Sequence, residues 1–73
     1  MNKKEEYLNN FRTNLQQYLT EHHITQSLLA EESGVNQGTV SNILNGRRQP
    51  TLWLAYQLCE GAGTKLSTMT KMN

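Results

Sequence analysis

Apolar residues recur at helical spacing through the first third of the chain: Leu8, Phe11, Leu15, Tyr18 and Leu19, with polar residues between them. Steps of three and four put these on one side of a helix, which predicts an amphipathic helix from Asn2 to about His22. Asn2 with Glu5 three places on fits an N-cap pair. Thr25 is a good N-cap for a second helix, Gln26 to Ser33, with Leu29 and Ala30 inward. Gly34 ends it, since glycine takes the left-handed conformation just past a helix at little cost. Asn36 caps a third helix from Gln37 to about Leu44, whose apolar side is Val40, Ile43 and Leu44, and Asn45-Gly46 closes it. Arg47-Arg48-Gln49 reads as an exposed basic loop. Pro50 punctuates, and Thr51 caps a fourth helix that runs through about Gly61 with Leu52, Ala55, Leu58, Cys59 and Ala62 inward. Gly61-Ala62-Gly63 is read as a turn. Thr64 opens a last short helix with Leu66 and Met69 facing in, and Thr70 to Asn73 frays. The pattern is all-α, without repeats or low-complexity tracts.

The 73 residues make one domain, 1–73, with a thin core. A chain of this size buries only about 60% of its unfolded surface. Its one cysteine, Cys59, has no partner for an internal disulfide and reads as a small buried hydrophobe. No apolar run approaches the ~20 residues of a membrane span, and no apolar stretch follows Lys3 and Lys4 as a signal peptide requires. A cytoplasmic address follows by elimination. The net charge of +1 names no partner, but its distribution is uneven. Residues 1–32 sum to −2 and residues 33–73 to +3, with Arg47, Arg48, Lys65 and Lys71 against Glu60 alone.

The basic half carries the decisive feature, two short helices around a glycine turn at 26–45. Reading a duplex needs a helix in the major groove with short polar side chains at base edges, propped at a fixed angle by a second helix. Ala30 is the small residue at the crossing, Gly34 makes the turn, and Val40 and Ile43 pack the reading helix back. Each signal alone is weak, and the combination is specific.

The stretch from Thr25-Gln26-Ser27-Leu28-Leu29-Ala30 through Ser33-Gly34-Val35-Asn36-Gln37 to Ile43-Leu44-Asn45-Gly46 resembles the Cro/cI-type, or Xre-type, helix-turn-helix of phage repressors. Arg47, Arg48 and Pro50 resemble that family's basic loop, and Leu58, Gly63, Leu66 and Met69 its closing helices. The resemblance spans about residues 11 to 69. It implies a compact five-helix, lambda-repressor-like domain that binds operator DNA as a dimer, on the nucleoid of a prokaryote. By the same resemblance, Gln26 bonds a phosphate and braces the recognition glutamine. Gln37 reads adenine, for which a Gln amide can pair bidentately with N6 and N7. Thr39 offers a hydroxyl or a methyl, Asn42 ranks second to Gln37 as a base reader, and Ser41 is the weakest of the set because it can bond its own backbone. Gly38 departs from many members, which carry a polar side chain there: either that contact is absent or the backbone approaches the DNA more closely. Asn36, Asn45, Arg47 and Arg48 are expected on phosphates, which set affinity and not sequence.

Trp53 has two readings, an interface residue or a ring folded over the edge of the core. With Leu54, Tyr56, Met69 and Met72 it forms a candidate dimer surface. His22-His23 is a poor metal site, since adjacent side chains at a helix end point apart. The chain contains no Asp, no glycine-rich phosphate loop and no ligand cluster, so an enzyme, a cofactor and a metal are not expected. The competing function is a protein-interaction module, such as an antitoxin, which would favour an apolar or acidic face on the third helix. A whole Cro-like protein and the N-terminal domain of a longer repressor both fit the chain.

Overall fold

The computed structural model describes residues 3–71. Five helices follow one another: α1 (Lys3–Glu21), α2 (Gln26–Ser33), α3 (Gln37–Leu44), α4 (Leu52–Ala62) and α5 (Leu66–Met69). The N-cap pair expected at Asn2 rests on a residue outside the described range, as does Met72. Phe11, Leu15 and Leu19 of α1 are buried, as their spacing requires, with Tyr18 packed at their edge. They meet Leu29 and Ala30 of α2, Val40, Ile43 and Leu44 of α3, the Ala55–Ala62 side of α4, and Met69 of α5 in one core cluster. Full burial of an aliphatic or aromatic side chain contributes about 1.5–3 kcal/mol, so Phe11, Leu15, Leu29, Ile43 and Leu58 are the main supports of the fold.

The caps of α2, α3 and α4 sit where the sequence puts them, but α5 starts later than expected, with Lys65 and not Thr64 at its N-cap and no side-chain cap bond. The Thr25 hydroxyl accepts from the Leu28 amide at 3.0 Å and the Thr51 hydroxyl from the Leu54 amide at 3.1 Å. The Asn36 side chain accepts from the Gly38 amide at 2.8 Å. Gly34, with φ 72°, donates its amide to Ala30 O and lets the chain reverse within three residues. Val35 in the middle of that turn is buried, pinning it to the core.

The structure corrects several expectations. Leu52 is 77% exposed and Leu54 is packed against the core, the reverse of the expected orientation. The cause is α2, which crosses α4 on the side carrying Gln57 and Gly61, and Leu54 shares that side by its spacing. Leu52 stands at the opposite margin of the first turn, on an open groove with Tyr7, Pro50 and Leu66. Gly61 is not in a turn: it lies inside α4, and the left-handed residue is Gly63. Met69, expected on a dimer surface, is 4% exposed and belongs to the core, because α5 folds against α1. Thr70 and Lys71 are held instead of frayed. The Asn14 amide donates to Met69 O at 2.8 Å and to Lys71 O at 2.9 Å, and the Thr70 hydroxyl donates to Leu66 O.

Candidate nucleic-acid interface

α3 has two unlike sides. Val40, Ile43 and Leu44 are buried, while Gln37, Gly38, Asn42 and Asn45 are exposed, and Ser41 and Thr39 are half-buried. Helical spacing puts Gln37, Gly38, Ser41, Asn42 and Asn45 on one outward stripe, with Thr39 at its border. The stripe is made of amides and hydroxyls, with no charge and no large apolar group.

Several bonds hold this helix in place. The Gln16 amide of α1 donates to Leu44 O at 2.6 Å, a direct tie from the first helix to the last turn of α3. The Ser33 hydroxyl donates to Leu29 O at 2.6 Å, and the Gln57 amide of α4 donates to Ser33 O at 3.4 Å, closing the end of α2. Gly61 lets α4 approach that same end: a Cβ there would lie 2.5 Å from Ser33 Cβ and 2.7 Å from its backbone N and Cα. Sequence reasoning missed Gln16, Gln57 and Gly61. Each acts across a long separation, and nothing local in the chain marks it.

Among the site residues, Ser41 and Asn45 are paired, the Asn45 amide donating to the Ser41 hydroxyl at 3.2 Å. Asn36 uses its side-chain oxygen as the cap and keeps its exposed amide donors. A Cβ on Gly38 would sit 3.0 Å from that Asn36 oxygen, so a larger residue at 38 would press on the cap. The glycine therefore goes with the Asn36 cap. Gln26 is exposed at the start of α2, and no hydrogen bond joins it to Gln37, so the expected brace is not made in the free chain.

After α3 the chain turns sharply back. Gly46 has φ 78°, and the amides of Arg47 and Arg48 both donate to Asn42 O, at 2.9 and 3.2 Å. The basic loop thus starts directly beside an exposed residue of the outward stripe. Arg47, Arg48 and Gln49 are exposed. Arg12 of α1 reaches the same place, with its guanidinium against Gly46.

A second surface lies on α4. Trp53 is 68% and Tyr56 45% exposed, and their rings stack at 5.7 Å with 28° between planes. With Leu52 they make an uncovered apolar face. Trp53 is therefore not folded over the core. The Glu60 carboxylate, as an acceptor for the Tyr56 hydroxyl and by its charge, pushes the phenol upward in pKa.

No described helix is long and apolar enough to cross a membrane. A protein-family model described as Helix-turn-helix matches residues 15–68, most of the chain and all of the site apart from Arg12. No curated protein and no solved structure matches the chain.

Proposed function

The chain belongs to the Cro/cI-type helix-turn-helix family, and on that premise we propose that it is a dimeric repressor reading a palindromic operator through the helix from Gln37 to Asn45. The family is one of DNA-binding regulators and not of catalysts, and the fold is lambda-repressor-like. The observation that supports the finer reading is the uncharged amide and hydroxyl stripe on α3. Those groups match the donors and acceptors on base edges in the major groove. Gln37 and Asn42 are the base readers of this reading, with Gly38, Thr39 and Ser41 beside them. Gln26, Asn36, Asn45, Arg47 and Arg48 hold phosphates. A two-fold dimer would set two such helices about 34 Å apart on one face of the DNA. Repression follows by occlusion of polymerase, in the cytoplasm and on nucleoid DNA.

The Leu52, Trp53 and Tyr56 face supports the dimer, since aromatic residues dominate interface energetics. The same face favours a second reading, in which an unlike protein covers it, as a toxin would cover an antitoxin that represses its own genes. A selection from randomised duplexes with the purified domain at physiological salt tests the reading. Enrichment of a palindrome is expected. A single enriched half-site would remove the preformed dimer, and no enrichment would refute DNA reading and turn the search to the protein partner of α4.

A further inference from the structure

Arg12 is a cation that the fold leaves without an answer. It is half-buried on α1, and its guanidinium lies where a Cβ on Gly46 would stand. Among the described residues it has no ion pair and no hydrogen bond. The carbonyls at the end of α3 are already in use: Asn42 O accepts from Arg47 and Arg48, Ile43 O from Gly46, and Leu44 O from Gln16. Capping therefore does not require Arg12. A guanidinium presents five donors in a fixed fork and stays charged, and partial burial without an acceptor costs it hydration.

The surroundings of Arg12 define what would satisfy it. An open pocket of about 170 Å³ has Phe11 and Ile43 in its wall, and the polar residues lining it are Asn9, Arg12, Arg48 and Gln49. Among the described residues, no acidic side chain lines it. Two arginines and two amide residues around one opening suit an anion with several oxygens, and above all a phosphate, which accepts bidentately from arginine. The pocket also adjoins the candidate interface, because its Gly46–Gln49 side is the loop that leaves the recognition helix.

We infer that Arg12, Arg48 and Gln49 form a phosphate pocket that holds one phosphodiester of the DNA next to the bases met by α3. The inference rests on the DNA-binding reading and extends it to α1, outside the helix-turn-helix. Gly46 then serves twice, in turning the chain with a positive φ and in leaving room for the Arg12 guanidinium.

The test uses Arg12→Met, which keeps an aliphatic stem and removes the donors, and Arg12→Lys, which keeps a charge. Binding to the duplex enriched by selection is followed by fluorescence anisotropy from about 50 to about 200 mM salt, where each phosphate contact contributes a slope near one. Arg12→Met should flatten the slope by about one for each half-site, about two for the dimer, and weaken binding to all sequences alike. It should move the melting midpoint by no more than about 3 °C, and Arg12→Lys should restore most of the slope. An unchanged slope in Arg12→Met, with discrimination intact, would overturn the pocket and leave DNA reading standing. A collapse of the melting midpoint would also overturn it, because Arg12 would then be a structural residue. If selection enriches no duplex, inorganic phosphate is titrated at constant ionic strength while the Gly46 amide is followed by NMR. A shift in the wild type that Arg12→Met abolishes would keep the pocket as a site for free phosphate, and the absence of any shift would overturn it.

Discussion

At the scale of single residues, Gln37 is exposed at the first turn of α3 and makes no hydrogen bond in the free chain, so its amide is available. Gln37→Ala should cost about 1–3 kcal/mol of binding and blur the preference at one base pair of each half-site. Repeating the duplex selection with the variant checks this, and an unaltered preferred sequence would remove Gln37 from base reading. His23 shows what a residue-level reading cannot see. It holds φ 57° and ends α1, with the Ile24 amide donating to Leu19 O at 2.8 Å and the His23 amide to Thr20 O at 3.3 Å. That is a Schellman end, in which glycine is the usual left-handed residue. At 34 and 46 glycine advertises the turn, whereas a histidine gives no such sign, and here the pull of Ile24 into the core decides. His23→Gly removes a left-handed penalty of about 1–2 kcal/mol and adds unfolded-state entropy of somewhat less. The variant should therefore be more stable, by about 0.5–1 kcal/mol, read as a higher urea midpoint at unchanged slope.

At the scale of elements, the limits of α2 and α3 and the start of α4 were legible because caps and stops are local: Thr25, Gly34, Asn36 and Thr51 each act within four residues of themselves. The end of α4 and the start of α5, which has no side-chain cap, were not. The packing of α4 was not legible. Its composition offers apolar residues on nearly every side, and only the path of α2 selects Leu54 over Leu52. The outward stripe of α3 could be read from spacing, while the ties that aim it, from Gln16, Gln57 and Gly61, could not. Gly61 lets the two opposing effects be weighed. In an open helix Gly→Ala stabilises by about 1 kcal/mol. Here the added methyl meets the Ser33 backbone, which cannot swing aside as a flexible side chain would, and overpacking of this kind costs about 1–3 kcal/mol. Gly61→Ala should be net destabilising in thermal unfolding. It should also weaken DNA binding, because α2 and α3 are joined by a three-residue turn and move together. A more stable variant would show that α2 and α4 can separate freely.

At the scale of the whole molecule, the buried core among the described residues contains no charged side chain, and Cys59 is its ionisable group. Burial, with a smaller contribution from the Glu60 charge, pushes the Cys59 thiol up from 9.0 to about 11. The folded state thus keeps its proton at a pH where the unfolded chain has begun to release it. A group raised in this way leaves stability undiminished below the unfolded value, and stability falls as pH climbs from about 9 towards 11. At roughly 1.4 kcal/mol for each pH unit, the loss is on the order of 2 kcal/mol. For a thin core with only a few kcal/mol in hand, that is a large share of the margin. Urea titrations at successive pH values should show the loss in the wild type. In Cys59→Ala, which starts lower because of the cavity, the part of the alkaline slope due to the thiol should be absent. The same burial should leave the thiol unreactive towards a disulfide reagent at pH 8 until urea unfolds the chain. Rapid labelling of the native protein would mean that α4 lifts away from α2, and with it the support that holds α3 at its angle.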